Sequence, residues 1–93
     1  MILDSFRLDG KVALVTGASR GLGQGAALAL AEAGADIALL DRSPASETID
    51  RLKALGRRVH RIEIELSTAT PLELDGAVQS AVDTLGGIDI LVN

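Results

Sequence analysis

The sequence predicts an α/β fold built on a parallel sheet, and three observations carry that prediction. Short apolar runs alternate with helix-forming segments along the 93 residues, in the order β-α-β-α-β-α-β. That is the pattern of parallel strands joined by right-handed helical crossovers. The chain is 47% hydrophobic yet holds a single aromatic, Phe6, so Val, Ile, Leu and Ala must fill its core, as they do in strands covered by helices on both faces. Finally, one of the four apolar runs alternates in polarity while the others do not, which separates an edge strand from central ones.

The first run, "KVALVT" (11–16), is short, apolar and rich in Val, and Gly17 ends it. From Leu22 to Ala33 the segment "LGQGAALALAEA" is dominated by Ala and Leu and predicts a helix stopped by Gly34. "DIALLD" (36–41) is the second strand. Ser43 followed by Pro44 reads as an N-cap and first helical residue, with Ile49, Leu52 and Leu55 as the apolar stripe and Gly56 as the stop. "RVHRIEIEL" (58–66) is the third strand. Its His60, Ile62, Ile64 and Leu66 fall on one side, and Arg61, Glu63 and Glu65 on the other. Thr70, Pro71 and Glu73 predict an N-cap, a first-turn proline and a capping box for a helix that runs to about Leu85 and ends at Gly86-Gly87. "IDILVN" (88–93) is the fourth strand. A polar-alternating third strand belongs at a sheet edge, which gives the order 3-2-1-4, the first half of a Rossmann-type doubly wound sheet.

Composition removes several classes of function. A net charge of −4 argues against nucleic acid, which selects a basic surface. With no Cys there is no disulfide, thiol nucleophile or thiolate metal site. Apolar stretches such as "GAALALA" fall far short of the ~20 residues a membrane helix needs. Asp4, Arg7, Asp9 and Lys11 break up any signal-peptide core, so a cytoplasmic location is expected. Glu63, Glu65 and Glu73 lack metal-ligand spacing, and Ser5, Ser67 and Ser80 lack an evident base partner. His60 reads as a surface side chain, and Arg57 and Arg58 as a solvated corner.

Chemistry concentrates in "TGASRGLG", residues 16–23. Gly17 permits a sharp turn off the strand, Gly21 permits close backbone approach to a phosphate, and Gly23 permits tight packing of the helix. The first helical turn offers unpaired N–H groups and the positive end of the helix dipole, together an anion site. Glycines alone could be turn chemistry. Placed between a strand and a helix, they predict nucleotide binding. Asp41 ends the second strand roughly 20 residues beyond the loop, where a dinucleotide fold puts a carboxylate on the adenosine ribose hydroxyls; the alternative is an Asp that merely starts a turn. A carboxylate there repels a 2′-phosphate by about 4 kcal/mol at ~4 Å in a surface-like dielectric. NAD is therefore expected over NADP, with Arg20 and Arg42 able to offset part of the repulsion.

The spacing Gly17-x3-Gly21-x-Gly23 after Thr16, together with "IDILVN", resembles the short-chain dehydrogenase/reductase family over essentially the whole chain. The resemblance implies that Thr16 steadies the loop and that Gly17, Gly21 and Gly23 frame the pyrophosphate. Ser19, Arg20 and Leu22 would lie along the cofactor, Asp41 would hold the ribose, and Asn93 would begin the segment beneath the cofactor. Glu65, where the family usually has Asp, and Leu66 would stand near the adenine. It further implies that residues 1–93 are the N-terminal, dinucleotide-binding part of such an enzyme, broken inside an N-N-A-G motif. The complete enzyme would take a small-molecule substrate and assemble as a homo-oligomer. Family members act through a Ser and a Tyr-x-x-x-Lys pair; this chain has no Tyr, and its two Lys, at 11 and 53, lie elsewhere. The chain alone is therefore expected to be inactive and to self-associate through its fourth strand, unless it is a stand-alone nucleotide-binding module. "MIL", Phe6, Leu8, "GKVA", "GLGQG", Thr48-Ile49 and "ALGRR" (54–58) resemble members acting on sugar acids. "ASR" (18–20) and "LLDR" (39–42) resemble the family more generally, which leaves 3-oxoacyl-carrier-protein reductases and gluconate 5-dehydrogenases open.

Overall fold

A computed structural model describes residues 7–93; the features at 1–6, including "MIL", Asp4, Ser5 and Phe6, lie outside them. The elements are β1 (Val12–Thr16), α1 (Gly21–Glu32), β2 (Asp36–Asp41), α2 (Ser46–Ala54), β3 (Val59–Glu63), α3 (Pro71–Leu85) and β4 (Ile90–Val92). The four strands form one parallel sheet in the order β3-β2-β1-β4, as the alternation in "HRIEIEL" predicts.

Successive residues of β1 and β2 point to opposite faces, and both faces are covered. Ala13, Val15, Ile37 and Leu39 pack under α1 and α2 with Ala27, Ala31 and Leu52. Val12, Leu14, Ala38 and Leu40 pack under α3 with Ala77, Ala81 and Leu85. That is why these two strands are apolar without interruption. The alanine pairs four residues apart on α1 and α3 let each helix lie close to the sheet, so the core closes without aromatics. At the edge, β3 is half-buried on both sides, with Val59 packed on the α1 and α2 face. Ile62 and Ile64 pack under α3, while Arg61 folds back over the end of β2.

Four local expectations need correction. Ser43-Pro44 does not begin α2, which starts at Ser46 after Ala45 takes a left-handed conformation (φ 53°). One local and one tertiary bond hold the turn instead: the Ser43 N–H donates to Asp41 Oδ1 at 2.9 Å, and the Arg61 guanidinium donates to the Ser43 carbonyl at 2.7 Å. The Ser43 Oγ is buried with no hydrogen-bond partner rather than capping the helix. Of the expected apolar stripe, Ile49 and Leu52 pack against the core while Leu55 is 37% exposed, and Thr48, with Ala45 just before the helix, completes the buried face. β3 ends at Glu63, short of Leu66, because its partner β2 ends at Asp41. Residues 66–68 turn away, closed by the Thr68 N–H on the Glu65 carbonyl.

Arg57 and Arg58 form a corner solvated only in part: Arg57 is half-buried, and Arg58, though 62% exposed, pairs with Asp36 at 3.0 Å. Arg57 Nε donates to the Ala31 carbonyl of α1 at 2.7 Å, and Arg58 Nη2 to the Leu85 carbonyl that ends α3 at 3.1 Å. Each places a cation on a last-turn carbonyl at the negative end of a helix dipole. Similarly, Ser80 does have a partner: its Oγ lies 2.8 Å from His60 Nε2, in the seam between α3 and β3. The start of α3 matches the expected N-cap and first-turn proline, with the Thr70 hydroxyl accepting from the Glu73 N–H, but among the described residues no bond returns from the Thr70 N–H to the Glu73 carboxylate to complete a capping box; Gly86 closes the far end at φ 94°. Just before β4, Asp89 brackets Val12: its Oδ2 accepts the Val12 N–H at 2.9 Å, and its own N–H donates to the Val12 carbonyl at 2.8 Å. Leu91 is 61% exposed on this outer strand.

Candidate functional site

Because the strands are parallel, their C-terminal ends share one rim, where ligands bind in open sheets of this kind. Thr16, Asp41, Glu65-Leu66 and Asn93 all reach that rim from different strands. A cleft of about 750 Å³ lies there, lined by Gly17, Ser19, Arg20, Gly21, Asp41, Arg42 and Ser43. A smaller recess of about 190 Å³ adjoins it, lined by Leu40, Ile64, Glu65 and Leu66 together with Gly17, Asp41 and Arg42. Of the residues expected to hold a dinucleotide, Gly17, Ser19, Arg20, Gly21, Asp41, Glu65 and Leu66 are thus gathered in two neighbouring spaces, while Thr16, Leu22, Gly23 and Asn93 line neither.

The loop after β1 is built from its glycines. Gly17 and Gly21 both have φ 63°, a left-handed backbone that side chains disfavour. A Cβ at Gly23 would collide with the Gly17 carbonyl oxygen and stand 2.8 Å from its carbon. Gly23 thus seats α1 against the loop's own backbone rather than against the sheet. α1 has no side-chain cap at Arg20 and no acidic residue in its first turn. The Gln24 N–H reaches the Arg20 carbonyl at 3.4 Å, and among the described residues nothing accepts from the N–H groups of Arg20, Gly21, Leu22 or Gly23. A helix N-terminus with open donors and no compensating carboxylate favours an anion. The Leu22 side chain is 95% exposed and lines neither space. Thr16 Oγ1 donates to the Val92 carbonyl at 3.4 Å, which ties the ends of β1 and β4 together.

Asp41 lies beside the loop with both carboxylate oxygens engaged. Oδ2 accepts the Ser19 N–H at 3.1 Å and Oδ1 the Ser43 N–H at 2.9 Å. Burial raises its pKa, but the hydrogen bonds from Ser43 and Ser19 outweigh it and hold the carboxyl below its usual value. It is an anion at neutral pH, with lone pairs left for further donors. Glu65 turns its carboxylate onto Arg42 (3.5 Å) and the Ser67 hydroxyl (3.0 Å).

Sequence reasoning missed two residues that shape this site. Arg61 gathers the carbonyls of Asp41, Arg42 and Ser43, fixing the turn behind the Asp41 carboxylate. Thr48, fully buried on α2, donates to the Ala18 carbonyl at 2.8 Å and accepts from Gln24 Nε2 at 2.9 Å. Its signal was available: a polar residue four before Leu52 occupies the buried helix face. Among the described residues no three His, Cys, Asp or Glu are grouped to hold a metal, and no helix is long and apolar enough to cross a membrane.

Comparison with known proteins agrees with this geometry. Residues 11–93 match the family model for short chain dehydrogenases. The chain is 47% identical over 96 residues to the 2-dehydro-3-deoxy-D-gluconate 5-dehydrogenase of Escherichia coli (strain K12), covering 100% of the chain and 36% of that relative. Among solved structures it superposes on a carveol dehydrogenase from Mycobacterium avium in complex with NAD, with TM-score 0.83 and 35% identity over 91% of the chain and 35% of that protein. It superposes equally on an L-sorbose reductase from Gluconobacter frateurii complexed with NADPH and L-sorbose, with TM-score 0.83 and 36% identity over 95% of the chain and 34% of that protein. The chain thus spans about a third of the length of the relatives it matches.

Proposed function

The chain belongs to the short-chain dehydrogenase family, and from that premise we propose that it forms the NAD-binding part of an oxidoreductase acting on a sugar acid, such as 2-dehydro-3-deoxy-D-gluconate or 2-deoxy-D-gluconate. The observation that carries the cofactor reading is the side-by-side placement of an anion recess, made of the open N–H groups of residues 20–23, and the ionised Asp41. The recess suits the pyrophosphate, framed by Gly17, Gly21 and Gly23 above Thr16. Ser19, Arg20 and the backbone of Leu22 follow the cofactor along the loop. Asp41 accepts from the ribose hydroxyls, Glu65 and Leu66 border the adenine, and Asn93 opens the segment beneath the nicotinamide half. The likeness to the Escherichia coli enzyme supports the sugar-acid substrate.

When bound, the cofactor supplies hydride exchange with a substrate carbon. This chain's residues bind and orient it. The proton-transfer Tyr-x-x-x-Lys pair of the family has no counterpart in a sequence without Tyr, so that step belongs to residues other than these 93. NAD is favoured over NADP for two reasons. The Asp41 carboxylate would face a 2′-phosphate, and of the two cations lining the cleft, Arg20 and Arg42, the latter is already paired with Glu65.

Titration calorimetry with NAD and NADP tests the reading. Wild type should bind NAD more tightly, and Asp41→Ala should erode the preference by roughly 1–3 kcal/mol, the scale of a hydrogen bond to a charged group. Tighter binding of NADP by wild type would overturn the assignment of Asp41 and make Arg20 and Arg42 the phosphate ligands.

A further inference from the structure

We infer that Thr48 is a positioning residue for the cofactor cleft, acting on Asp41 through the single peptide unit that joins Ala18 to Ser19. The inference rests on the reading of Asp41 as the ribose acceptor and extends it to a residue that touches no ligand.

The carbonyl of Ala18 and the N–H of Ser19 belong to the same planar peptide and point in opposite directions. The structure grips that unit at both ends. Thr48 Oγ1 donates to the Ala18 carbonyl at 2.8 Å, and the Ser19 N–H donates to Asp41 Oδ2 at 3.1 Å. A threonine hydroxyl has one hydrogen. Gln24 Nε2 donates into the same oxygen at 2.9 Å, so that hydrogen is committed to the loop, with the Ser19 carbonyl as a longer alternative at 3.4 Å. Gln24 belongs to α1, Thr48 to α2 and Asp41 to β2. The orientation of one loop peptide is therefore set jointly by three elements, of which α1 and β2 line the cleft and α2 lies behind the loop.

Ala18 and Thr48 are both fully buried. A carbonyl deprived of its donor there has no water to turn to, and leaving it unpaired is costly. The peptide must rotate to find another partner, and rotation removes the Ser19 N–H from Asp41. The carboxylate then keeps only its bond from Ser43 and loses the fixed aim that a pair of ribose hydroxyls requires. If Thr48 were no more than core filling, its isostere valine would serve as well.

The test is titration of the full chain with NAD. Thr48→Val should weaken binding on the order of tenfold, and Thr48→Ser, which restores the donor, should return it to within about twofold of wild type. The amide resonance of Ser19 should move in Thr48→Val and return in Thr48→Ser. In an Asp41→Asn background the further loss from Thr48→Val should shrink to less than about threefold, because the two residues act through one peptide. Equal losses in both backgrounds, or undiminished binding by Thr48→Val, would reduce Thr48 to packing. Should Thr48→Val fail to fold, Thr48→Ala is read in the same two backgrounds. A wild-type chain that binds no NAD would overturn the proposed function and this assignment with it; binding by wild type with no effect of Thr48→Val overturns this assignment alone.

Discussion

Gly23→Ala should cost the protein both stability and its cofactor. The added methyl meets the carbonyl of Gly17, and that carbonyl is backbone, not a side chain that can swing away. Its peptide follows directly from β1, and the Gly17 N–H is tied to the Leu40 carbonyl of β2 at 3.1 Å. Either α1 moves off the loop or the loop moves off the sheet. Overpacking of this kind costs about 1–3 kcal/mol, a large share of the ~5–15 kcal/mol that holds a domain together. Both movements also spread the N–H groups of residues 20–23, so the recess for the pyrophosphate loses its shape. Urea unfolding should show a lowered midpoint and calorimetry a lost NAD signal. An unchanged midpoint with intact binding would mean that the contact between Gly23 and Gly17 is looser than the structure has it.

Gly21→Asp should separate these two losses. A Cβ at Gly21 meets nothing within 4 Å, and its φ of 63° lies in the left-handed region that Asp enters more readily than most residues. The fold should persist, with a cost of roughly 1 kcal/mol for the backbone. Binding should not. A carboxylate at ~4 Å from the pyrophosphate is opposed by about 4 kcal/mol per charge pair at a surface-like dielectric, close to a thousandfold in affinity. Gly21→Asn supplies the control of equal size without the charge. If Asn and Asp weaken NAD equally, bulk rather than charge closes the recess; if neither weakens it, the loop is only a turn.

The sheet order was legible because it depends on periodicity alone. The alternation of Ile62 and Ile64 with Arg61 and Glu63 marks an edge strand, while the unbroken runs at 11–16 and 36–41 mark buried ones. The glycine loop and Asp41 were legible because their spacing follows from the connection between strand and helix. What stayed hidden depends on bonds between residues far apart in sequence. Ser43-Pro44 carries every local mark of a helix start, yet Arg61, 18 residues on, holds the Ser43 carbonyl and delays the helix. Arg57 and Arg58 reach helix ends 26 and 27 residues away. Thr48 lies 30 residues from the carbonyl it holds. Local propensity states what each segment would do alone, and in these places the tertiary partner decided otherwise.

The pairing of β1 with β4 bears on the order in which the molecule assembles. Ala13 aligns with Ile90, so this contact encloses most of the polypeptide, and it is short, covering three residue pairs against five each for β1–β2 and β2–β3. Closing so long a span adds little to the final cost, because loop entropy grows only with the logarithm of length. It does postpone the event, since distant contacts form slowly. β1, β2 and their crossover can associate first and β3 can join them, leaving β4 to dock last on a sheet already formed. By the same reasoning β4 is the first strand to detach. Amide hydrogen exchange should be faster across Ile90–Val92 than across Ala38–Leu40, and uniform protection over the two would show that the sheet opens only as a whole.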